Sequence, residues 1–286
     1  MTIGDEMRIL VTGSKGMLGT DLLSELSSQE VCGVDIDTLD ICSLHDVISY
    51  THAFKPQVVI NCAAFTNVDV CETELITAYK VNSIGPKNLA IACNKLDVPL
   101  LQISTDYIFD GEKGSEYLEG DVVNPLSVYG RSKLDGENFI KGLTNKYFIV
   151  RTQSLYGKHG NNFVKTILKT ARDKGILKVV NDQTSNPTYT KDLCVAIREL
   201  IETENYGTFH VTNAGAVTWY EFTKEILKQT GIENVSLTPC TTAEFPRPAK
   251  RPAYSPLKNF YWELCGFRLL RDHSEALKDY LAEMQF

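Results

Sequence analysis

The chain has 286 residues, 43% of them hydrophobic and 23% charged, the composition of a globular protein with room for one large α/β unit or two modest domains. A net charge of -7 argues against a nucleic-acid partner, which would need a wide basic face, and points to a small molecule instead. No apolar run approaches the roughly 18 residues that span a bilayer, so no membrane partner is expected. The leading "MTIGDE" carries an acid where a secretory leader would be basic, which predicts a frayed lead before Met7 and cytoplasmic residence. The eight cysteines form no C-x-x-C pair, and several lie in apolar strings such as "VVINCAA" and "LAIACNKL". They read as buried reduced thiols, and with five scattered histidines no metal site is expected.

Short apolar runs alternate with helical patterns through the first half. "MRILVTG" is followed by a helix through "LLSELSS", then "EVCGVD", a helix near "HDVISYTHAF", and "QVVINCAA". A long helical pattern, "LITAYKVNSIGPKNLAIACNKL", should kink or divide at Pro86. The strand "PLLQIST", a helix after Tyr129 and the strand "YFIVRT" complete the series. The expectation is six strands in about 150 residues: an α/β fold with a doubly wound parallel sheet of the Rossmann type. Later, helices are expected near "FVKTILKTA", "LCVAIRELI", "WYEFTKEILKQ" and "SEALKDYLAEM", and strands at "LKVVND" and "GTFHVTN". Five prolines make "TPCTTAEFPRPAKRPAYSP" mostly loop. The expected division is a dinucleotide-binding domain over 1–153 and a smaller C-terminal substrate-binding lobe over 154–286, with the segment near 187–212 returning to the first domain.

Directly after the first strand, "GSKGMLG" spaces Gly13, Gly16 and Gly19 ahead of the apolar helix that opens with Met17 and Leu18. Glycine permits the tight turn, lets backbone amides approach a pyrophosphate, and lets helix and strand pack closely. Asp35 closes the second apolar run about 20 positions on, where a carboxylate can accept hydrogen bonds from an adenosine ribose. Together these predict a dinucleotide cofactor. Asp40 and Ile41 either flank the adenine or, for Asp40, cap a helix. Ala63 and Ala64 after the third strand either give the cofactor room or pack the core.

Three Tyr-x-x-x-Lys pairs compete for a catalytic role: Tyr129 with Lys133, Tyr220 with Lys224, and Tyr254 with Lys258. Residues at i and i+4 are simply neighbours on a helix, so spacing alone cannot choose. Pro256 interrupts the third pair, and the second lies in the later lobe. Only Tyr129 opens a helix beside the sheet, just after "ISTDYIFDG" brings Ser104 and Thr105 to the sheet's carboxyl edge. A hydroxyl, a phenol and an ammonium then converge. A hydride arriving at a ketone carbon creates an alkoxide, which needs a proton donor. Tyrosine's ordinary pKa of about 10 would have to fall toward 7, a preference for phenolate of about 4 kcal/mol. Lys133 is the expected source of much of it, helped by the positive charge of an oxidised nicotinamide.

The strings "GSKGMLG", "NCAAFTNVD", "VNSIGPKNLA", "STDYIFDG", "NPLSVYGRSKLDGE", "VVNDQTSNPTYTKDL", "WYEF" and "PAKRPAYS" resemble the extended short-chain dehydrogenase/reductases, and the last three point to their dTDP-4-dehydrorhamnose reductase branch. The resemblance spans nearly the whole chain. It implies an enzyme that reduces the C4 ketone of dTDP-4-dehydro-β-L-rhamnose with NADH or NADPH. Thr105, rather than Ser104, would be the catalytic hydroxyl beside Tyr129 and Lys133, with Ser104 at the substrate. Asp106 and Tyr107 would shape the sugar site, Arg251 would pair with the diphosphate, and Asn162 and Phe163 would touch the nucleotide. Trp219 reads as a packing residue.

Asp35, Ile36, Asp37 and Thr38, with no adjacent arginine, suggest a modest preference for NADH, which Lys15 weakens. The chain departs from the branch in "RTQSLYG", where Ser154 occupies a position commonly held by tryptophan. Gln153 and Ser154 can there hydrogen-bond sugar hydroxyls, and sugar selectivity should be relaxed. The alternatives are another sugar-nucleotide 4-ketoreductase or epimerase, or a non-catalytic NAD(P)-binding regulatory subunit resembling the methionine adenosyltransferase β subunit. A homodimer is left open. Some relatives hold magnesium at a dimer interface, but only Asp21 is comparable here, too little to predict the ion.

Overall fold

The computed structural model describes residues 6–285. The frayed lead expected before Met7 falls, through residue 5, outside the described residues. The first half runs β1 (Arg8–Thr12), α1 (Met17–Glu25), β2 (Glu30–Val34), α2 (Leu44–Phe54), β3 (Val58–Asn61), α3 (Val68–Cys71), α4 (Leu75–Tyr79), α5 (Gly85–Leu96), β4 (Leu100–Thr105), α6 (Val128–Leu143) and β5 (Tyr147–Thr152). The second half follows with β6 (Leu155–Tyr156), α7 (Phe163–Lys174), β7 (Ile176–Val180), β8 (Thr184–Ser185), β9 (Thr188–Tyr189), α8 (Thr190–Ile201), β10 (Gly207–His210), β11 (Val217–Thr218), α9 (Trp219–Gln229), β12 (Ser236–Cys240), α10 (Phe260–Leu264) and α11 (His273–Glu283).

The main sheet has the order β10-β5-β4-β3-β1-β2, and every neighbouring pair is parallel. The expectation of six strands in the first 150 residues needs correction. Five lie there, and the sixth is β10, which pairs with β5 from Gly207 opposite Phe148 to His210 opposite Arg151. The strand "YFIVRT" is therefore the fifth. Both faces of the sheet are apolar, as a doubly covered parallel sheet requires. Ile9, Val11, Ile60 and Val150 pack with α1 and with Leu193, Ile197 and Leu200 of α8. The alternate residues Leu10, Val59 and Ile149 face Leu89 and Cys93 of α5 and Ile140 of α6.

The long helical pattern does divide. A π turn over Lys80–Ile84 joins α4 to α5, and Pro86 sits in the first turn of α5, where a missing N–H costs nothing. Within the π turn Asn82 is buried; its amide clasps both backbone groups of Phe65 (2.8 and 3.0 Å) and the Ser132 hydroxyl (3.1 Å). The loop after β3 is thereby tied to α6.

In the second half, α7, α9 and α11 gather a separate core around Tyr156, Tyr189, Phe222 and Tyr280. The proline-rich segment is less purely loop than expected. Thr238–Cys240 belong to β12, whose one partner is β7, so Pro239 occupies an edge where no ladder hydrogen bond is lost. The short α10, not anticipated, buries Trp262 completely.

Candidate active site

Strand order reverses between β1 and β3, which opens a crevice at the carboxyl ends of these strands. Gly13 ends β1 there with φ +68°, and a Cβ built on it would lie 2.5 Å from the Ala63 backbone nitrogen. Only glycine lets the two loops approach this closely. A Cβ on Gly19 would strike the Gly13 carbonyl oxygen, so glycine is required there too. Gly16 is the N-cap of α1 and supplies no side-chain cap, which leaves the first-turn amides directed at the crevice.

Two adjoining cavities share Gly13, Gly16, Cys62 and Ala64. One, of about 480 Å³, is bounded by Asp35, Asp40, Ile41 and Ala63. The other, of about 450 Å³, is bounded by Met17, Leu18, Thr105, Tyr129, Lys133 and Gln153 among others. Their combined size and their junction at an uncapped helix N-terminus fit a dinucleotide laid across the crevice. Asp35 is held ready by two backbone amides, Lys15 N (3.0 Å) and Ile36 N (2.8 Å). Lys15 is itself drawn to Asp37 by a 2.5 Å ion pair. Asp40 lines this cavity and accepts from Cys42 N (2.8 Å) in the turn before α2; the helix cap there is Ser43, so the capping alternative for Asp40 is not what the structure shows.

At the end of β4, Thr105 and Asp106 are buried beside Tyr129, the second residue of α6. The helix start is fixed twice: the Ser127 hydroxyl accepts from Gly130 N (3.2 Å), and Glu72 accepts from Val128 N (2.8 Å). Tyr107 meets Tyr129 edge to face, with ring centroids 5.6 Å apart. Lys133, one turn further along α6, donates to the Ile103 carbonyl (2.6 Å). Burial lowers its pKa to about 8 against the opposing charge of Glu137.

Burial pushes the Tyr129 phenol up, and the largest opposing influence is a hydrogen bond from Thr105. The nearby Asp106 charge adds to the effect of burial, and the Lys133 ammonium is held by a backbone carbonyl. Asp106 is raised to about 6 by burial, although Ser255 (2.6 Å) and Thr105 (3.1 Å) both donate to it.

Under these groups lies a network not foreseen from sequence. Glu137 and Arg151, both fully buried, form a two-pronged ion pair of 2.7 and 3.0 Å. Burial alone would raise Glu137, but the Arg151 charge holds it well below the usual carboxylate range. Arg151 also donates to the Glu119 carbonyl (3.1 Å) and lies 3.4 Å from His210 Nε2. Burial, then the Arg151 charge, lowers His210 to about 3. Ser104, expected at the substrate, donates instead to Glu137 (2.6 Å). Its hydroxyl is committed to the floor of the site. Glu137 follows Lys133 by one helical turn, a spacing that could have flagged it.

Neither Asn162 nor Phe163 lines the two cavities. Asn162 is the N-cap of α7, accepting from Lys165 N (3.0 Å) and donating to the Gly157 carbonyl (2.8 Å), so its amide is used in capping. Phe163 packs against Trp219 with the rings tilted by 42° and their centroids 4.3 Å apart, beside the second core. Trp219 itself reaches the cavity rim, together with Ser154, Ser185 and Arg251. Ser154 has left-handed backbone (φ +49°) and its hydroxyl lies 2.8 Å from that of Ser185. Gln153 is buried on the cavity wall; in the amide orientation that satisfies both ends, its nitrogen donates to Asp106 (3.2 Å) and its oxygen accepts from Leu257 N (3.1 Å). The rival tyrosines stay apart. Lys224 lies over the Tyr220 ring at 4.8 Å on α9, and Tyr254–Lys258 is not helical.

Residues 7–286 match the family described as the RmlD substrate binding domain. The chain belongs to this family. A dTDP-4-dehydrorhamnose reductase from Aggregatibacter actinomycetemcomitans is 43% identical over 264 residues, covering 87% of this chain and 90% of that one. A crystal structure of a dTDP-4-dehydrorhamnose reductase from Clostridium acetobutylicum superimposes with a TM-score of 0.95 at 49% identity, over 98% of this chain and 100% of that one. The Bacillus anthracis reductase, crystallised with NADP, also gives 0.95, at 40% identity and the same coverage. The match to the RmlD substrate binding domain runs through both halves, so it takes in the glycine cradle and the wall bearing Arg251 alike. Among the described residues no helix is long and apolar enough to cross a membrane.

Proposed function

We propose that the protein is an NAD(P)H-dependent oxidoreductase that reduces the C4 ketone of dTDP-4-dehydro-β-L-rhamnose to dTDP-L-rhamnose. The observation that carries this reading is the convergence of Thr105, Tyr129 and Lys133 on one cavity that continues into the glycine cradle. In this reading residues 1–153 hold the cofactor and 154–286 the sugar nucleotide, with the segment near 187–212 returning to the first domain.

Gly13, Gly16, Met17, Leu18 and Gly19 would hold the pyrophosphate at the start of α1, Asp35 the adenosine ribose, and Asp40, Ile41, Ala63 and Ala64 the adenine end. The bound nicotinamide supplies the hydride and, afterwards, a positive charge. Tyr129 gives its phenolic proton to the oxygen that becomes negative at C4, and Thr105 donates a hydrogen bond to the same oxygen. Lys133 favours the resulting phenolate by charge and orients the ribose end of the cofactor. Asp106, Tyr107 and Gln153 line the sugar pocket, and Arg251 meets the diphosphate.

The test is NADH or NADPH oxidation on adding dTDP-4-dehydro-β-L-rhamnose, with dTDP-L-rhamnose identified as product. No oxidation with either cofactor would overturn the proposal. A second reading, reduction of a related nucleotide-linked 4-keto sugar, draws support from the Ser154–Ser185 hydroxyl pair, which offers hydrogen bonds at the sugar wall. Running the same assay across several keto sugars separates the two.

A further inference from the structure

Asp69 follows Val68, a wall residue of the catalytic cavity. On the short α3 of the first half, it accepts from Arg251 Nη2 with both oxygens (3.1 Å each). It also accepts from Arg247 Nε (2.9 Å) and Nη2 (2.6 Å), and from the Ala249 amide (3.3 Å). Arg251 is further held by its own loop, through Nη1 to the Ala249 carbonyl (3.1 Å). The loop has little freedom of its own. Pro246, Pro248 and Pro252 restrict its backbone, and at Gly111 (φ +79°) the first half approaches so closely that a Cβ would lie 2.7 Å from Ala253 N. Arg251 lines a small pocket that adjoins the catalytic cavity through Asp106, Tyr107 and Ser154, and the Tyr107 ring abuts Tyr129.

We propose that Asp69 is a positioning residue that aims Arg251 at the diphosphate of the sugar nucleotide, and so carries the grip on the nucleotide end to the wall of the catalytic pocket. The inference rests on the reading that Arg251 receives that diphosphate. The charges decide what kind of role Asp69 has. One aspartate against two arginines leaves a local excess of one positive charge, in a chain whose net charge is -7. Asp69 therefore weakens the general attraction for an anion. Its contribution is direction: Arg251 Nη2 faces the carboxylate, Nη1 faces the loop carbonyl, and the remaining N–H groups are fixed in orientation.

This gives opposite signs for two roles. If Asp69 only counterbalanced charge, Asp69→Asn would make the mouth more positive and bind dTDP more tightly. As a positioning residue, its loss weakens dTDP binding despite the added positive charge. The experiment titrates the full-length protein, with NADH present, with dTDP and with dTMP, and measures KM and kcat for the keto-sugar substrate. The Asp69→Asn, Asp69→Glu and Arg251→Gln variants are compared with the unmodified protein.

The expected result for Asp69→Asn is about tenfold weaker dTDP binding and a matching rise in KM. In the same variant dTMP affinity, kcat at saturation and NADH affinity should change less than about twofold, the last showing that the fold is intact. Asp69→Glu should recover part of the loss. Unchanged or tighter dTDP binding in Asp69→Asn, alongside a clear loss in Arg251→Gln, overturns the inference and leaves the diphosphate reading standing. Unchanged dTDP binding in Arg251→Gln overturns the diphosphate reading itself. Should Asp69→Asn fail to bind NADH, Asp69→Glu decides: it displaces the carboxylate while keeping the charge, and unaltered dTDP affinity there counts against positioning.

Discussion

The floor and the mouth of the same cavity are built on opposite principles. Beneath Tyr129 the charges are fully buried and matched: Glu137 with Arg151, Ser104 with Glu137, and Arg151 with the Glu119 carbonyl. At the mouth, Arg247 and Lys15 are largely exposed, Arg251 is partly so, and hydroxyls such as Ser154 and Ser185 satisfy one another. The floor cannot rearrange without stranding a charge in low dielectric, which suits groups that must meet a reacting carbonyl within fractions of an ångström. The charges at the mouth reach solvent, so a substrate that must enter and leave can meet them without stranding a charge in low dielectric.

The largest break is expected from removing the proton donor. Tyr129→Phe should lower kcat about a hundred- to ten-thousand-fold while cofactor affinity stays nearly intact, because one hydroxyl and little volume are lost. Tyr220→Phe should be mild. Single-turnover reduction and cofactor titration of both variants check this, and a fully active Tyr129→Phe protein would falsify the assignment. Next comes the floor itself. Glu137→Gln leaves the Arg151 guanidinium buried without its counter-charge and should destabilise the fold by about 3 to 5 kcal/mol, read from denaturant unfolding. A loss below about 1 kcal/mol would mean that the floor relaxes as easily as the mouth.

A third test uses pH. Lys133 is depressed to about 8 by burial, so its ammonium form is present below that value and is lost as pH rises through it. If the charged form is needed, kcat/KM for the cofactor should fall by about tenfold for each pH unit above 8. A profile flat to pH 10 would remove Lys133 from the chemistry.

At the mouth the effects shrink. Ser154→Trp adds an apolar surface whose full burial is worth about 2 to 3 kcal/mol, so KM should drop by up to about tenfold and discrimination among nucleotide-linked 4-keto sugars should sharpen. Matching selectivity profiles for the two proteins would show that position 154 does not read the sugar. Smallest is the cofactor preference. A 2′-phosphate would lie near Asp35 and Asp37, but Lys15, paired with Asp37, offsets the repulsion. NADH should be favoured by less than about tenfold in kcat/KM. A tenfold advantage for NADPH would reverse that reading of β2.

What could be read from sequence follows the range of the interactions. The glycine cradle and the Tyr129–Lys133 pair are local, written within one turn or one helix, and the βαβ alternation marked all the sheet strands but misplaced the sixth. The floor joins residues 14 to 59 positions apart, and the strap pairs Asp69 with Arg251 across 182 positions. No periodicity encodes such pairings. Asparagine before an apolar helix is equally a cap and a ligand by sequence, and only the structure adds the Lys165 amide as a partner of Asn162. The resemblance already favours Thr105 over Ser104, and the bond from Ser104 to Glu137, on a different element, adds a physical reason that sequence does not carry.

The late arrival of β10 has a consequence for how the polypeptide is made. While the ribosome is still extending the chain, β5 has an open edge from Phe148 to Arg151, and β10 cannot close it until His210 has emerged. Until then Arg151 also lacks His210 beside it, and even when His210 has emerged the Lys258 carbonyl that faces its ring is still to be made. A gene cut after residue 153 would therefore release a five-stranded, sticky-edged product, and the cofactor half becomes a finished body only with most of its successor already synthesised.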